Sequence, residues 1–154
     1  MKIAIGSDHA GYELKQYIIK EMTARGIEVD DCGAHDAVSV DYPDYAALVC
    51  AQVTTGDAES GILICGTGIG ISIAANKVKG IRAALCHTEY SARMARLHND
   101  ANVLALGANV TGPGVALSIV ETFLGCRFSG EQRHARRIAK ITGMESPGGT
   151  SCCG

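Results

Sequence analysis

The segment from Gly61 to Lys77 constrains this chain more than any other. It opens with Gly-Ile-Leu-Ile-Cys, an apolar run that predicts a strand buried on both faces of a parallel sheet. Glycines follow at alternate positions, Gly66, Gly68 and Gly70, and the small and apolar residues after them predict a helix. Because the first N–H groups of a helix lack partners, anions bind there readily. The segment therefore predicts a bound phosphate or a developing oxyanion.

Nucleotide binding is the first alternative for this loop. A dinucleotide fingerprint needs glycine at its first, third and sixth positions and an acidic residue about 20 residues further on. Counted from Gly66, the sixth position is Ile71, and no acidic residue stands clearly in the ribose-reading place. The spacing therefore disfavours NAD.

Cys65 ends the predicted strand and faces the predicted start of the helix. A helix N-terminus stabilises a thiolate, so a chemical role is one interpretation. The other is an ordinary small residue of the core. Parallel sheets bind ligands at the carboxyl ends of their strands, and this position favours the chemical role.

Length and composition predict one aliphatic α/β domain. The chain has 154 residues, 47% of them hydrophobic, 19 glycines and a formal charge of -2. This charge gives no general attraction to nucleic acid or to an anionic membrane, and no apolar run approaches the roughly 18 residues of a membrane span. Seven cysteines without metal-ligand spacing predict reduced thiols. We expect a cytoplasmic protein without nucleic-acid or membrane partners, folded over residues 1–145, with a disordered tail over 146–154.

Strand and helix patterns alternate along the chain, which predicts a doubly wound, Rossmann-like three-layer domain. Its sheet would have five parallel strands, with helices on both faces. The predicted strands cover residues 2–6, 27–31, 61–65, 81–86 and 102–106. In this topology His98 falls in a helix-to-strand connection, at the edge of the sheet opposite Cys65. A site shared between two subunits would resolve that conflict.

Three further residues are candidates for the site, and two of them, Asp8 and Tyr42, have a second interpretation. Asp8 and His9 follow the first strand, so they lie near Cys65 in a parallel sheet, although Asp8 could simply cap the next helix. Tyr42 opens a helix, where it could point into the ligand cleft or pack against the start of that helix.

Basic residues concentrate on the last predicted helix. Ser129-Gly130-Glu131-Gln132 predicts a capping box at its start, and Arg133 and Arg137 stand four residues apart on one face. A solvated surface would explain them. Phosphate capture is the alternative, because guanidinium groups match phosphate geometry.

Five motifs in order resemble the ribose-5-phosphate isomerase B family, which includes allose-6-phosphate and galactose-6-phosphate isomerases. They cover nearly the whole chain up to about Ile141 and are Lys2–Gly11, Ser39–Ala46, Cys65–Lys77, His98–Val103 and the pair Arg133-His134 with Arg137. The resemblance implies an aldose-ketose isomerase without metal or cofactor, acting on a sugar phosphate. It also implies a homodimer or a dimer of dimers whose active sites are shared between subunits.

The resemblance also implies roles for individual residues. Cys65 would move a proton between C1 and C2 through a cis-enediolate, with Thr67 and Asp8 assisting at the sugar oxygens. His98 would open the sugar ring. Those expected to bind the substrate are the loop glycines Gly66, Gly68 and Gly70, the phosphate ligands His9, Arg133 and Arg137, and the sugar contacts Tyr42 and Asn99.

Asn109 departs from the family pattern, because many members have an arginine there that helps to bind phosphate. We keep Asn109 among the expected substrate contacts. Because Asn109 carries no charge, the substrate could also be another pentose or hexose, phosphorylated or not. Two hypotheses of other classes also remain at this point, namely a regulatory module that binds a nucleotide or another anion, and a purely structural role in assembly.

Overall fold

The computed structural model describes residues 1–145, and strands and helices alternate through most of this range. Residues 146–154, with Cys152 and Cys153 and the tail predicted as disordered, lie outside the described residues. The strands are β1 (Lys2–Ser7), β2 (Glu28–Asp31), β3 (Ser60–Cys65), β4 (Ala83–Leu85) and β5 (Val103–Gly107). The helices are α1 (Tyr12–Ala24), α2 (Tyr42–Thr55), α3 (Ile69–Ala75), α4 (Glu89–Asn99), α5 (Pro113–Gly125) and α6 (Gln132–Gly143).

All strand pairs are parallel, in the order β2-β1-β3-β5-β4. The chain moves outward from β1 to β2 on one side and continues through β3 on the other. The carboxyl ends of β1 and β3 therefore flank a topological switch point, the usual position of a ligand crevice in an open α/β sheet. The predicted fold class is confirmed.

Side chains alternate between the two faces of the strands, so a hydrophobic core lies on each face of the sheet. Ile62 and Ile64 point to the face covered by α1, α4 and α5, whereas Leu63 and Cys65 point to the face covered by α2 and α3. Helix α6 packs outside these layers, against α4. The thiol of Cys65 therefore lies on the α2 and α3 side of the sheet.

Several predicted details are wrong. His98 does not lie in the connection after α4, because the helix continues through His98 and ends at Asn99. Asp100, whose φ of 45° is left-handed, follows as its C-cap. Asn102 lies before β5, because its side chain bonds the Arg82 amide at 2.8 Å and the Gly80 carbonyl at 2.8 Å.

The burial of Lys15 is the least expected feature of the fold, because lysine side chains are rarely buried. Its side chain is completely buried and donates to the carboxylate of Asp31 at the end of β2. The same carboxylate accepts from the Gly33 amide at 2.9 Å, and the Gly33 carbonyl accepts from the Ser7 amide at 2.7 Å. A buried ion pair thus fixes the loop beside the end of β1. Among the helices of residues 1–145, none combines the length and apolar character needed to cross a membrane.

Candidate active site

The glycine loop folds tightly over the carboxyl end of β3. Cys65 pairs with Gly107 of β5, and Gly68 turns the chain with a φ of 77° before α3 begins. The Gly68 amide donates to the Cys65 sulfur at 3.1 Å. Cys65 is 4% exposed, so nearly all of the residue is shielded from solvent. The sulfur therefore contacts a backbone donor of the glycine loop at the carboxyl end of β3.

Close backbone contacts explain the glycines of this loop. A Cβ on Gly68 would lie 2.8 Å from the carbonyl carbon of Leu106, and one on Gly107 would lie 2.6 Å from the backbone of Thr67. Because these neighbours are backbone atoms, they cannot move aside easily. The Thr67 hydroxyl accepts from the Ile69 amide at 3.3 Å and so holds the loop from within.

Tyr42 covers the start of α3. A Cβ on Gly70 would lie 2.6 Å from the tip of the tyrosine ring, and Tyr42 remains 37% exposed. The ring therefore contacts the glycine loop and also reaches solvent at the same edge of the sheet. Of its two predicted positions, this contact favours the cleft.

Asp8 and His9 follow β1 and lie across from the glycine loop. The Asp8 amide donates to the Ile64 carbonyl at 3.2 Å, and its carboxylate accepts from the Gly11 amide at 3.0 Å. The carboxylate thus orders the turn before α1. The N-cap of α1 is Gly11 and no side chain caps the helix, so the capping interpretation of Asp8 is not supported. His9 accepts from the Val40 amide through Nδ1 at 3.3 Å. A neutral imidazole in this arrangement carries its hydrogen on Nε2, ready to donate.

Asn109 completes this edge. Its amide donates to the Gly66 carbonyl at 2.9 Å, and its side-chain nitrogen lies 3.2 Å from the place of a Cβ on Gly66. The residue is exposed. We name Asp8, His9, Tyr42, Cys65, Asn109 and the loop Gly66–Gly70 the sheet-edge cluster.

The four remaining predicted residues and His134 form a second group, which we name the helix cluster: His98, Asn99, Arg133, His134 and Arg137. His98 lies in the last turn of α4, and its ring stacks on that of His134 in α6 with centroids 4.2 Å apart. Because α4 leads into the amino end of β5 and Cys65 stands beside its carboxyl end, the two clusters are separated by the strand, about 16 Å for five residues. One chain does not bring His98 to Cys65.

Arg133 and Arg137 are exposed on α6, as the pattern predicts. Arg133 donates to Glu131 at 2.7 Å, and this bond lowers the pKa of the Glu131 carboxyl. The predicted capping box is wrong, because α6 begins at Gln132 and no side chain caps it. Gly130 has a φ of 71° and turns the chain, so Ser129 instead accepts from the Glu131 amide at 3.3 Å.

A cavity of about 560 Å³ lies beside the helix cluster, between the end of α3, strand β4 and the end of α6. Asn99 contributes to its wall together with Lys77, Arg82 and Met144. No residue of the sheet-edge cluster lines this cavity. The cavity therefore does not connect the two clusters within the described chain.

The comparison with protein families decides the class of the chain. The model of the family described as Ribose/Galactose Isomerase matches residues 3–141. The chain belongs to the ribose/galactose isomerase family. The resemblance inferred from the sequence is confirmed, and membership favours an enzyme over a nucleotide-binding module or a purely structural protein.

Relatives within the ribose/galactose isomerase family align over almost their whole length. The chain is 49% identical over 144 residues to ribose-5-phosphate isomerase B of Escherichia coli (strain K12), covering 94% of this chain and 96% of that protein. The structure of Clostridium thermocellum ribose-5-phosphate isomerase B superposes with a TM-score of 0.92 at 56% identity, covering 94% and 97% of the two chains. The type B enzyme of Trypanosoma brucei gives 0.90 at 51% identity, covering 94% and 98%.

The sequence alone assigned no role to two features of this family member. His134 appears there only as part of a motif, and its contact with His98 depends on how α6 packs against α4. The Lys15–Asp31 pair joins α1 to β2 through two residues that are 16 positions apart in the sequence. A lysine at an otherwise apolar helix position was the one available signal for this pair.

Proposed function

We propose that this chain interconverts ribose 5-phosphate and ribulose 5-phosphate. The names of the relatives support ribose 5-phosphate as the substrate, and family membership supports isomerisation as the reaction. The observation that carries the proposal is the Cys65 thiol at the switch point, with the Gly68 amide 3.1 Å from its sulfur. This geometry provides a base beside a donor of hydrogen bonds, which an enolisation requires.

Proton transfer begins on the open-chain aldose. The Cys65 thiolate takes the proton from C2, the carbonyl electrons move to O1, and a cis-enediolate forms. Amides of Gly66 to Gly70 hold the developing oxygen charge, and the Gly68 amide exchanges its bond to sulfur for one to the sugar. Thr67 and Asp8 move the hydroxyl protons at O1 and O2. The thiol then returns its proton to C1, which completes the ketose.

Phosphate binding draws on both clusters. His9 offers its Nε2–H at the sheet edge, and exposed Arg133 and Arg137 supply guanidinium groups. Tyr42 and Asn99 line the sugar. Because one strand length separates the clusters, the arginines and His98 come from a second copy of the chain. The protein therefore works as a homodimer or as a dimer of dimers, with each active site shared between two subunits.

Ring opening precedes enolisation, because ribose 5-phosphate is largely cyclic in water. His98 donates a proton to the ring oxygen and accepts one from the anomeric hydroxyl, the work of a general acid and base. An imidazole suits both steps near neutral pH.

The experiment that tests this function follows exchange of the C2 proton with solvent. In Cys65→Ala we expect exchange and turnover to fall by about 10²–10⁴-fold, while binding of ribose 5-phosphate stays measurable by calorimetry. Cys50→Ala is the matched control, because Cys50 is buried in α2 outside the cluster. Undiminished exchange in Cys65→Ala would exclude the proposed base.

Asn109 supports a second candidate, an isomerase of another pentose or hexose. The exposed amide beside Gly66 provides no charge for phosphate at this edge. A panel of pentoses and hexoses, each with and without phosphate, decides between the two. The highest kcat/KM on ribose 5-phosphate would support the first candidate, and a higher value on any other sugar would replace it with the second.

A further inference from the structure

The two imidazoles of the helix cluster form an unusual pair. The rings of His98 and His134 lie 4.2 Å apart between centroids, and their planes differ by only 13°. His98 is half-buried, whereas His134 is 4% exposed. The outer ring therefore lies flat on an inner ring that solvent hardly reaches.

The inner ring has a nitrogen without a partner. Nε2 of His134 is buried and makes no hydrogen bond among the described residues. The nearest carboxylate, Glu131, stands 3.9 Å away and is already bonded to Arg133. Leaving a buried polar atom unpaired costs free energy, so a leucine would serve packing better at this position. Packing alone does not explain a histidine here.

The surroundings of the inner ring disfavour a positive charge on it. Burial lowers the pKa of His134, and nearby His98 and Arg133 lower it further, with a smaller contribution from Arg137. Glu131 is the one group that opposes this effect. His98 is the more exposed ring of the pair and lies in the last turn of α4.

We propose that His134 is a positioning residue for His98, a buried imidazole whose face fixes the plane of the His98 ring. This inference rests on the proposed role of His98 in ring opening. Stacking removes rotation of the His98 ring, so its outward edge meets the sugar of the partner's site in one orientation. His134 itself touches no substrate, because its ring is buried beneath His98.

The inference predicts a loss confined to substrates that must be opened. His134→Gln should lower kcat on ribose 5-phosphate by roughly 10- to 100-fold, the cost of a misplaced catalytic group. On a four-carbon aldose 4-phosphate, which cannot close a five-membered ring, it should change kcat less than about twofold, because enolisation at Cys65 is untouched. His134→Phe keeps a neutral aromatic face and should restore most of the loss. His87→Gln, at an exposed histidine outside both clusters, is the control and should match the wild type on both sugars.

A second measurement does not depend on activity. The His98 ring is stacked on the His134 ring. We therefore expect a ring-current shift on the Hε1 proton of His98 that is lost in His134→Gln and persists in His134→Phe. Proton NMR of the intact protein reads this shift, and urea unfolding verifies that each variant is folded. If His134→Gln keeps the wild-type ring-current shift, or lowers kcat equally on both sugars, the inference is overturned. It is also overturned if His134→Phe behaves like His134→Gln.

His98→Gln separates this inference from the proposed function. If His98→Gln selectively lowers kcat on ribose 5-phosphate and His134→Gln does not, only the positioning role of His134 is wrong. If His98→Gln lowers kcat equally on both sugars, His98 does not open the ring, and the positioning role of His134 is overturned with it.

Discussion

The sheet-edge cluster and the helix cluster are built by different means. At the sheet edge, backbone atoms hold the parts together: Asp8 bonds to Ile64, Asn109 bonds to Gly66, and Gly68 bonds to the sulfur of Cys65. In the helix cluster, side chains hold each other through the stacked imidazoles and the Arg133–Glu131 pair. In the proposed function, the first cluster provides the base and the anion site, and the second provides exposed charges to a partner subunit.

The largest expected effect concerns the ion pair behind the sheet edge. Asp31→Asn should lower the free energy of unfolding by about 3–5 kcal/mol, because it leaves the buried Lys15 ammonium without its counter-charge. Lys15→Met should cost less, since the Asp31 side chain is 27% exposed and water can solvate it. Urea denaturation measures both variants. Glu121→Gln, which breaks an exposed pair with Arg25, is the control and should change little. The reverse order of the two losses would contradict this account of the pair.

Gly68 and Gly130 both have a positive φ, of 77° and 71°, and allow a direct comparison of the two clusters. Gly68→Ala should cost about 2–5 kcal/mol of unfolding free energy, the sum of left-handed strain and a clash with the Leu106 backbone. Gly130→Ala, at a φ of 71° before α6, meets no atom within 4 Å and should cost only about 1–2 kcal/mol. Thermal unfolding of the two variants measures the difference. Equal losses would mean that the sheet edge is no more tightly packed than the loop before α6.

Arg137→Ala tests the exposed charges of the helix cluster. We expect KM for ribose 5-phosphate to rise by roughly one to two orders of magnitude, the cost of one charge-assisted contact, with a smaller change in kcat. Steady-state kinetics measure this separation, and Lys140→Ala on the same helix is the control. A fall in kcat with an unchanged KM would assign Arg137 to the chemical step instead of phosphate binding.

The smallest expected effect is a pH dependence of stability. The pKa of His134 lies below 6.5 in the folded protein, so the unfolded chain binds this proton more readily. The free energy of unfolding should therefore fall as the pH drops below 6.5. This fall should be shallower in His134→Gln. Urea titrations between pH 8 and pH 5.5 measure both slopes, and identical slopes would show that His134 titrates normally in the fold.

The contrast between the clusters also explains what the sequence could predict. Glycine spacing and strand periodicity are local signals, so the five strands, the Cys65 loop and the neighbouring Asp8 and His9 followed from them. The end of α4 was misplaced because Asn99 and Asp100 favour turns locally, whereas the helix continues until Asp100 adopts a left-handed conformation. The His98–His134 stack and the Lys15–Asp31 pair arise from side-chain contacts between different elements, which periodicity does not encode.

A heterodimer of two inactive variants tests most directly whether one active site combines residues of the two clusters from different chains. A heterodimer of Cys65→Ala and His98→Gln, purified with two different tags, keeps one intact site if Cys65 and His98 come from different chains. It should then show about half of the wild-type turnover of ribose 5-phosphate. The matched control pairs the double variant with a wild-type chain, which leaves no intact site and should be inactive. An inactive first heterodimer, with activity in the control, would show that Cys65 and His98 act within one chain and would contradict the shared site.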